Sequence, residues 1–266
     1  MDKTSIIGVI LGIIAIGTGM VLKGVSPIAL LNPAALLIIF LGTAASVCVA
    51  FPMSTIKKVP SYFKILFKEA DRTDMKEVIE MFSNWADLTR REGILSLEKQ
   101  MDSVKDPFLL SGLQFIVDGK SPDFIREVML EKISAMEERH QRGITVFSQA
   151  GTYAPTLGVL GAVIGLIAAL SNLNDIEALG HAISAAFIAT LFGIFSGYVL
   201  WHPFANKLKE KSKDEAEVKL IMIEGILAIT NGESKQVVND KLGSYLSQKE
   251  LAKIDLEEAD AAEETE

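Results

Sequence analysis

Four long, uncharged apolar runs decide what this chain can become. They cover residues 6–22, 34–51, 151–173 and 180–201, and no Asp, Glu, Lys or Arg interrupts any of them. About 20 residues of helix cross the hydrocarbon core, and about 17 suffice at the short limit. Backbone in lipid must satisfy its own N–H and C=O groups, so each run is predicted to be a membrane-spanning helix. The bland alternative is a buried hairpin, for which the runs are too long and too evenly apolar. Asp2 offsets Lys3 and no A-x-A site follows the first run, which points to a retained anchor rather than a cleaved signal. Pro33 is well placed to open the second span. Mean hydropathy is +0.32 although 23% of residues are charged, so apolar and charged residues must be segregated along the chain.

Lysine and arginine near the span ends set the orientation. Lys57, Lys58, Lys64 and Lys68 follow span two, Arg139 and Arg142 precede span three, and Lys207, Lys209, Lys211 and Lys213 follow span four. The opposite side carries Lys23 in one short loop, and Asp175 with Glu177 in the other. Both termini and the segment between spans two and three are therefore expected in the cytoplasm. The chain divides into a first transmembrane hairpin (1–51), a cytoplasmic helical domain (52–150), a second transmembrane hairpin (151–201), C-terminal cytoplasmic helices (202–248) and an acidic tail (249–266). The tail supplies much of the net charge of −8. It cannot bury apolar surface, reads as disordered, and argues against nucleic acid as a partner.

The cytoplasmic segments have helical periodicity and no strand alternation, so the fold class is all-α. Ile56, Val59, Tyr62, Phe63, Leu66 and Phe67 fall on one side of a helix with lysines opposite, as suits a helix that lies at the membrane surface or packs beside it. Asp71-Arg72-Thr73-Asp74 signals the start of a helix carrying Met75, Val78, Ile79, Phe82 and Ala86. Gly93 breaks it, Pro107 opens another, and Ser121-Pro122-Asp123 caps a long one with no stop before span three. After span four, Pro203 predicts a stop or kink before a lysine-rich helix. Asn231-Gly232 then turns the chain, and Ser234 caps a last short helix.

No arrangement of residues suggests an enzyme. There is no phosphate-binding glycine loop, no H-E-x-x-H, and no nucleophile with a base; Cys48 is alone, and His140, His181 and His202 are scattered. No metal or cofactor is called for. Glycines recur at four-residue spacing: Gly8 and Gly12, Gly161 and Gly165, Gly193 and Gly197. Such faces let helix backbones approach closely, either within one subunit or between subunits. The spans hold hydroxyls, among them Thr43, Ser46, Thr156, Ser184, Thr190 and Ser196, but no carboxylate. Proton paths normally use a group that changes charge, so the acid of such a path would have to come from another chain.

The wording of spans three and four is familiar. Gly151-Thr-Tyr-Ala-Pro155-Thr156-Leu-Gly158-Val-Leu-Gly161-Ala162-Val-Ile-Gly165, Ala189-Thr190-Leu-Phe-Gly193 and Trp201-His202-Pro203-Phe204 resemble the MotA family, the A subunits of the bacterial flagellar stator. Arg90-Arg91-Glu92-Gly93-Ile-Leu-Ser-Leu97-Glu98 is similar to the charged segment that family turns toward the rotor. The resemblance covers nearly the whole chain except the acidic tail. It implies a ring of five copies around two single-span MotB-like subunits in the bacterial inner membrane, with lipid around it. The partner aspartate would supply the acid, and a FliG-like switch-ring protein would receive the torque. Rotor contact is expected from Arg90 and Glu98, with Arg91 an alternative by one position. Pro155 and Pro203, at the ends of spans three and four, are expected to couple ion passage to movement. Gly158, Gly161, Gly165, Gly193 and Gly197 are expected to be the packing glycines, and Thr190, Ala162 and Thr156 are expected to line the ion path. ExbB and TolQ energisers of the same superfamily have three spans and a different first orientation; a self-sufficient transporter or a passive scaffold is the rival from another class.

The transported ion is expected to be the proton. Thr190 lies about ten residues from either end of span four, roughly 15 Å and so near the bilayer midplane. Sodium-driven relatives resemble this sequence but carry Thr where Ala162 stands, and a stripped sodium ion needs several oxygens. Ala162 offers a methyl group.

Overall fold

A computed structural model describes residues 2–68, 75–171 and 173–246. The Asp71–Asp74 helix signal and the acidic tail lie outside them. Among the described residues every regular element is helical, as the all-α reading requires, and four helices are long and apolar enough to cross a membrane.

The first span is α1 (Lys3–Leu22), whose N-terminal N–H groups on Thr4 and Ser5 are accepted by Asp2. A short 3-10 turn, Pro27–Leu30, leads to the second span. That span opens at α2 (Pro33–Leu36), capped by Asn32, widens to a π turn at Leu37–Leu41, and continues as α3 (Gly42–Ala50). Then come α4 (Met53–Ile56) and the amphipathic α5 (Val59–Phe67). Next are α6 (Met75–Glu92), α7 (Glu98–Met101) and α8 (Pro107–Val117), the last with Pro107 in its first turn and Asp106 accepting from Phe108 N–H. The helix expected to run on into span three does so: α9 (Pro122–Leu170) is continuous over 49 residues. Span four is α10 (Ile176–Phe195), capped by Asp175. It passes through a π turn at Ser196–Trp201 into α11 (His202–Thr230), and α12 (Lys235–Gly243) is capped by Ser234.

Pro203 therefore neither stops the helix nor begins a new one. Proline cannot donate to the carbonyl four residues back, here Val199, and Val199 lies inside the widened turn, which absorbs the mismatch. Gly232 does turn the chain, at φ +69°.

The residues form two compact units. One comprises residues up to 68 with 138–211; the other comprises 75–137 with 212–246. The first contains the four spans together with α4 and α5. The apolar face read at 56–67 is the face it buries: Leu66 packs with Phe147, Phe204 and Leu208, flanked by Tyr62, Phe63 and Phe67. Ile56 and Val59 pack beside Val146 and Ala150. Rings meet edge to face, Phe63 on Phe147 at 5.0 Å and Phe67 on Phe204 at 5.8 Å. The second unit joins segments distant in sequence, since the C-terminal helices complete the core of the 75–137 segment. Phe82 lies fully buried against Trp85 and over Gly225, where an added Cβ would stand 2.5 Å from the ring. Glu224 at the edge of this core is held by Arg126 at 2.9 Å and Lys241 at 3.0 Å.

Candidate functional site

The glycines of spans three and four face one another. A Cβ on Gly158 would lie 3.1 Å from the Ala189 carbonyl, and one on Gly193 would lie 2.7 Å from the Ala154 carbonyl and 2.9 Å from Gly158 Cα. Cβ atoms on Gly161 and Gly165 would meet the Ala189 and Ala186 methyls at 2.7 and 2.8 Å. Hydrogen atoms at these positions let the two backbones touch, and the seam so formed lies within one chain. In span one, Gly12 meets Val199, whereas Gly8 has nothing within 4 Å.

Thr190 sits in this seam, half-buried. Its hydroxyl donates to the Ala186 carbonyl at 3.2 Å and reaches the Gly158 carbonyl of the facing helix at 3.5 Å. The oxygen's lone pairs can still accept from an ion-borne proton or a water. Ala162 is half-exposed and Thr156 exposed on α9. The Thr156 hydroxyl donates to Thr152 O at 3.1 Å, and that of Thr152 to Ser148 O at 3.2 Å, so these hydroxyls are turned back on their own helix. Among the described residues no group of three or more His, Cys, Asp or Glu is placed to hold a metal ion.

At the lower end of the seam Pro155 and the π turn meet. Pro155 lacks the N–H that would bond the Gly151 carbonyl. Against that carbonyl lies Gly197, where a Cβ would stand 2.8 Å from both Gly151 O and Pro155 Cγ. A Cα–H of Gly197 can face the carbonyl that proline leaves without its helical donor. The His202 ring covers Gly151 from the next turn and stacks beside Tyr198 at 5.4 Å. Ser196 is fully buried and returns its hydroxyl to Phe192 O at 2.7 Å. The structure thus brings Pro155 against the widened turn that precedes Pro203, while Pro203 itself is exposed. The sequence shows Gly151 and Ser196 but neither their place at this junction nor the π turn, because a uniformly apolar span has no polar face to report its phase.

A charged node ties three helices together at the start of α1. Asp2 accepts from Lys207 at 2.9 Å and stands 3.8 Å from Lys211. Lys211 donates to the Ile65 and Leu66 carbonyls at 2.8 and 3.3 Å, and Asp2 N–H donates to Phe67 O at 2.9 Å. The Lys207 and Thr4 hydrogen bonds hold the Asp2 carboxyl well below the usual carboxylate range. Burial pushes the Lys211 ammonium down, against the pull of Asp2.

In the second unit, Arg90 and Arg91 end α6 and Glu98 begins α7, with Gly93 between them at φ +85°. All three charged groups are exposed, as are Ile94 and Leu95. Arg91 is engaged by Asp87 at 2.9 Å. Arg90 and Glu98 form no ion pair among the described residues, which separates Arg90 from its neighbour.

The sequence profile of the MotA/TolQ/ExbB proton channel family matches residues 100–219. Motility protein A of Bacillus subtilis (strain 168) is 59% identical over 254 residues, covering 96% of this chain and 94% of the relative. The structure of the flagellar MotAB stator complex from Bacillus subtilis superimposes with a TM-score of 0.91 at 58% identity, over 95% of this chain and 99% of that one. The C. jejuni MotAB structure gives a TM-score of 0.88 at 31% identity, over 93% and 97% of the two chains.

Proposed function

Since this chain belongs to the MotA family of flagellar-motor stator subunits, an inner-membrane multi-pass family, we propose that it forms the wall of an ion path whose titrating acid belongs to a MotB-like partner. The observation that carries this reading is the lack of Asp, Glu, Lys and Arg in the apolar runs 6–22, 34–51, 151–173 and 180–201, which otherwise supply a close-packed seam and a hydroxyl at Thr190. Five copies surround two single-span partners, the ion is the proton, and both termini face the cytoplasm. Ion passage past the partner's aspartate displaces the ring relative to the partner helices. Pro155 and the turn before Pro203 pass that displacement to the cytoplasmic helices, where Arg90 and Glu98 meet a FliG-like switch-ring protein. Thr190 accepts a hydrogen bond near the carboxylate, and Ala162 keeps the level short of the oxygens that sodium needs. No catalytic step is assigned to the chain.

A strain lacking both stator subunits tests the reading. Swimming should return when this chain is supplied with its own B partner. It should fail when the partner's membrane aspartate is replaced by asparagine, although the two chains still co-purify. Swimming with the asparagine partner, or with no partner, would contradict the proposal.

A further inference from the structure

The helix α9 leaves one face uncovered along its membrane half, and that face changes chemistry abruptly. Thr145, Ser148, Gln149, Thr152 and Thr156 fall within about 60° of one line along the helix, and Val159, Leu160, Val163, Ile167 and Leu170 continue the same line. The first five are exposed or half-exposed and all polar, whereas the next five are exposed and all aliphatic. The polar row spans about 16 Å. Its lower end starts beside the exposed Arg142–Glu138 pair at 3.1 Å and so stands in water. Its upper end, Thr156, lies about 3 Å below Gly158, whose carbonyl the Thr190 hydroxyl reaches. At that level α10 exposes Ile194, so the row of oxygens belongs to α9.

The hydroxyls of Thr145, Thr152 and Thr156 each donate to the carbonyl four residues back, at 2.8, 3.2 and 3.1 Å. Their protons are held within the helix, and the lone pairs that remain can only accept. Neighbours in the row stand three or four residues apart along the helix axis, roughly 4.5–6 Å. One water bridges that distance with two hydrogen bonds of about 2.8 Å. A file of fixed acceptors favours a hydrated proton, which presents only donors, over an anion. Above Thr156 the aliphatic side chains offer water no partner, so a file of water along this wall ends there.

We propose that the row from Thr145 to Thr156 is the wall of a water-filled exit by which the proton leaves for the cytoplasm, and that Val159 and Val163 close the same face above it. The inference rests on the proton path of the reading above and gives that path a cytoplasmic half. The partner's carboxylic acid, beside Thr190, gives its proton to the uppermost water and returns to carboxylate. Each water then accepts one proton and passes one on, so one proton reaches the cytoplasm for each acid emptied. Because the row stops at Thr156, no single file of water along α9 joins the two sides of the membrane, and the proton must pass through the acid.

The test places single cysteines at Thr152, Thr156, Val159 and Val163 in a Cys48→Ser background, because Cys48 is itself exposed. Inside-out membrane vesicles carrying the chain with its B partner are treated with a quaternary-ammonium methanethiosulfonate, which cannot cross the membrane. Only a thiolate reacts, and a thiol becomes one readily in water and poorly against apolar surroundings. Thr152→Cys and Thr156→Cys should label about tenfold faster, or more, than Val159→Cys and Val163→Cys. Equal rates at all four positions overturn the proposal, as does a failure to label at 152 and 156, which would put this face against lipid or a dry interface. If the cysteine variants do not assemble, a near-isosteric pair decides. Thr152→Val should slow rotation at low load by about fivefold, the effect of one net hydrogen bond to the passing proton, while Thr152→Ser keeps the speed. Wild-type speed in an assembled Thr152→Val motor contradicts the exit. Labelling does not depend on swimming. A chain that restores swimming with positions 152 and 156 unlabelled sinks this route alone, and a labelled face in a chain that fails to restore swimming sinks the stator reading alone.

Discussion

Replacing Gly193 by Ala places a methyl group where two backbones meet. Its Cβ would stand 2.7 Å from the Ala154 carbonyl oxygen and 2.9 Å from Gly158 Cα. Neither atom can swing aside, so α9 and α10 must part by roughly 0.5–1 Å at that level, a gap that forfeits a quarter to a half of each contact's attraction. The same seam holds Gly158, Gly161 and Gly197, and a rigid separation loosens all of them together. Overpacking of this kind costs about 1–3 kcal/mol, and the better helix propensity of Ala returns less than ~1 kcal/mol. The net expectation is a loss of about 1–2 kcal/mol. Gly180 supplies the control on the same helix: nothing lies within 4 Å of its Cβ position, so Gly180→Ala should be neutral or slightly stabilising. Gly12→Ala should fall between them, because it meets the movable Val199 side chain. Thermal unfolding of the complex in detergent, followed by tryptophan fluorescence and size exclusion, ranks the three. The seam argument fails if Gly193→Ala melts with the wild type, or if Gly180→Ala is the more damaging.

Asp2→Ala removes both a helix cap and an ion pair, and should cost about 0.5–2 kcal/mol through the cap alone. Asp2→Asn keeps capping and should cost less, as thermal melts of the two variants will show. The Asp2 carboxyl is depressed in the fold, so its contribution is complete above the ordinary value of 3.8 and lost as pH falls through the lower folded value; the advantage of the wild type over Asp2→Asn in thermal melts should shrink there. Burial alone would raise the Glu224 carboxyl, but hydrogen bonds from Lys241 and Arg126 outweigh it and lower it. Glu224→Gln should therefore destabilise by about 1–3 kcal/mol at neutral pH, with the difference from wild type shrinking below pH 4.5. Charge reversal at Arg90 or Glu98 should impair swimming with membrane assembly intact, and reversal at Arg91 should do less because Asp87 already engages it. Equal loss at all three positions in a swimming assay would count against that distinction.

Much of the architecture was legible because the chain changes character sharply. Uncharged runs mark the spans, Asn32-Pro33 and Asp106-Pro107 mark helix starts, and nothing between Pro122 and span three stops α9. The glycine spacing signalled a close face but not its partner, since identical periodicity serves contacts within or between chains. The π turns at 37–41 and 196–201 were not legible: one extra residue per turn shifts a pattern only where polar and apolar sides alternate, and here all sides are apolar. Asp2 looked like a mere offset to Lys3, because its partners Lys207 and Lys211 are distant in sequence. The pairing of 212–246 with 75–137 is likewise a long-range fact, carried by apolar faces that do not name their partners.

The most direct test of the account is the rotation of single motors built from this chain and its own B partner while the two ion gradients are varied separately. In sodium-free medium the motors should turn at their usual speed, and they should stop within the time a protonophore takes to collapse the proton gradient. Rotation that ceases on sodium removal yet survives the protonophore would contradict the proton path drawn past Thr190 and Ala162.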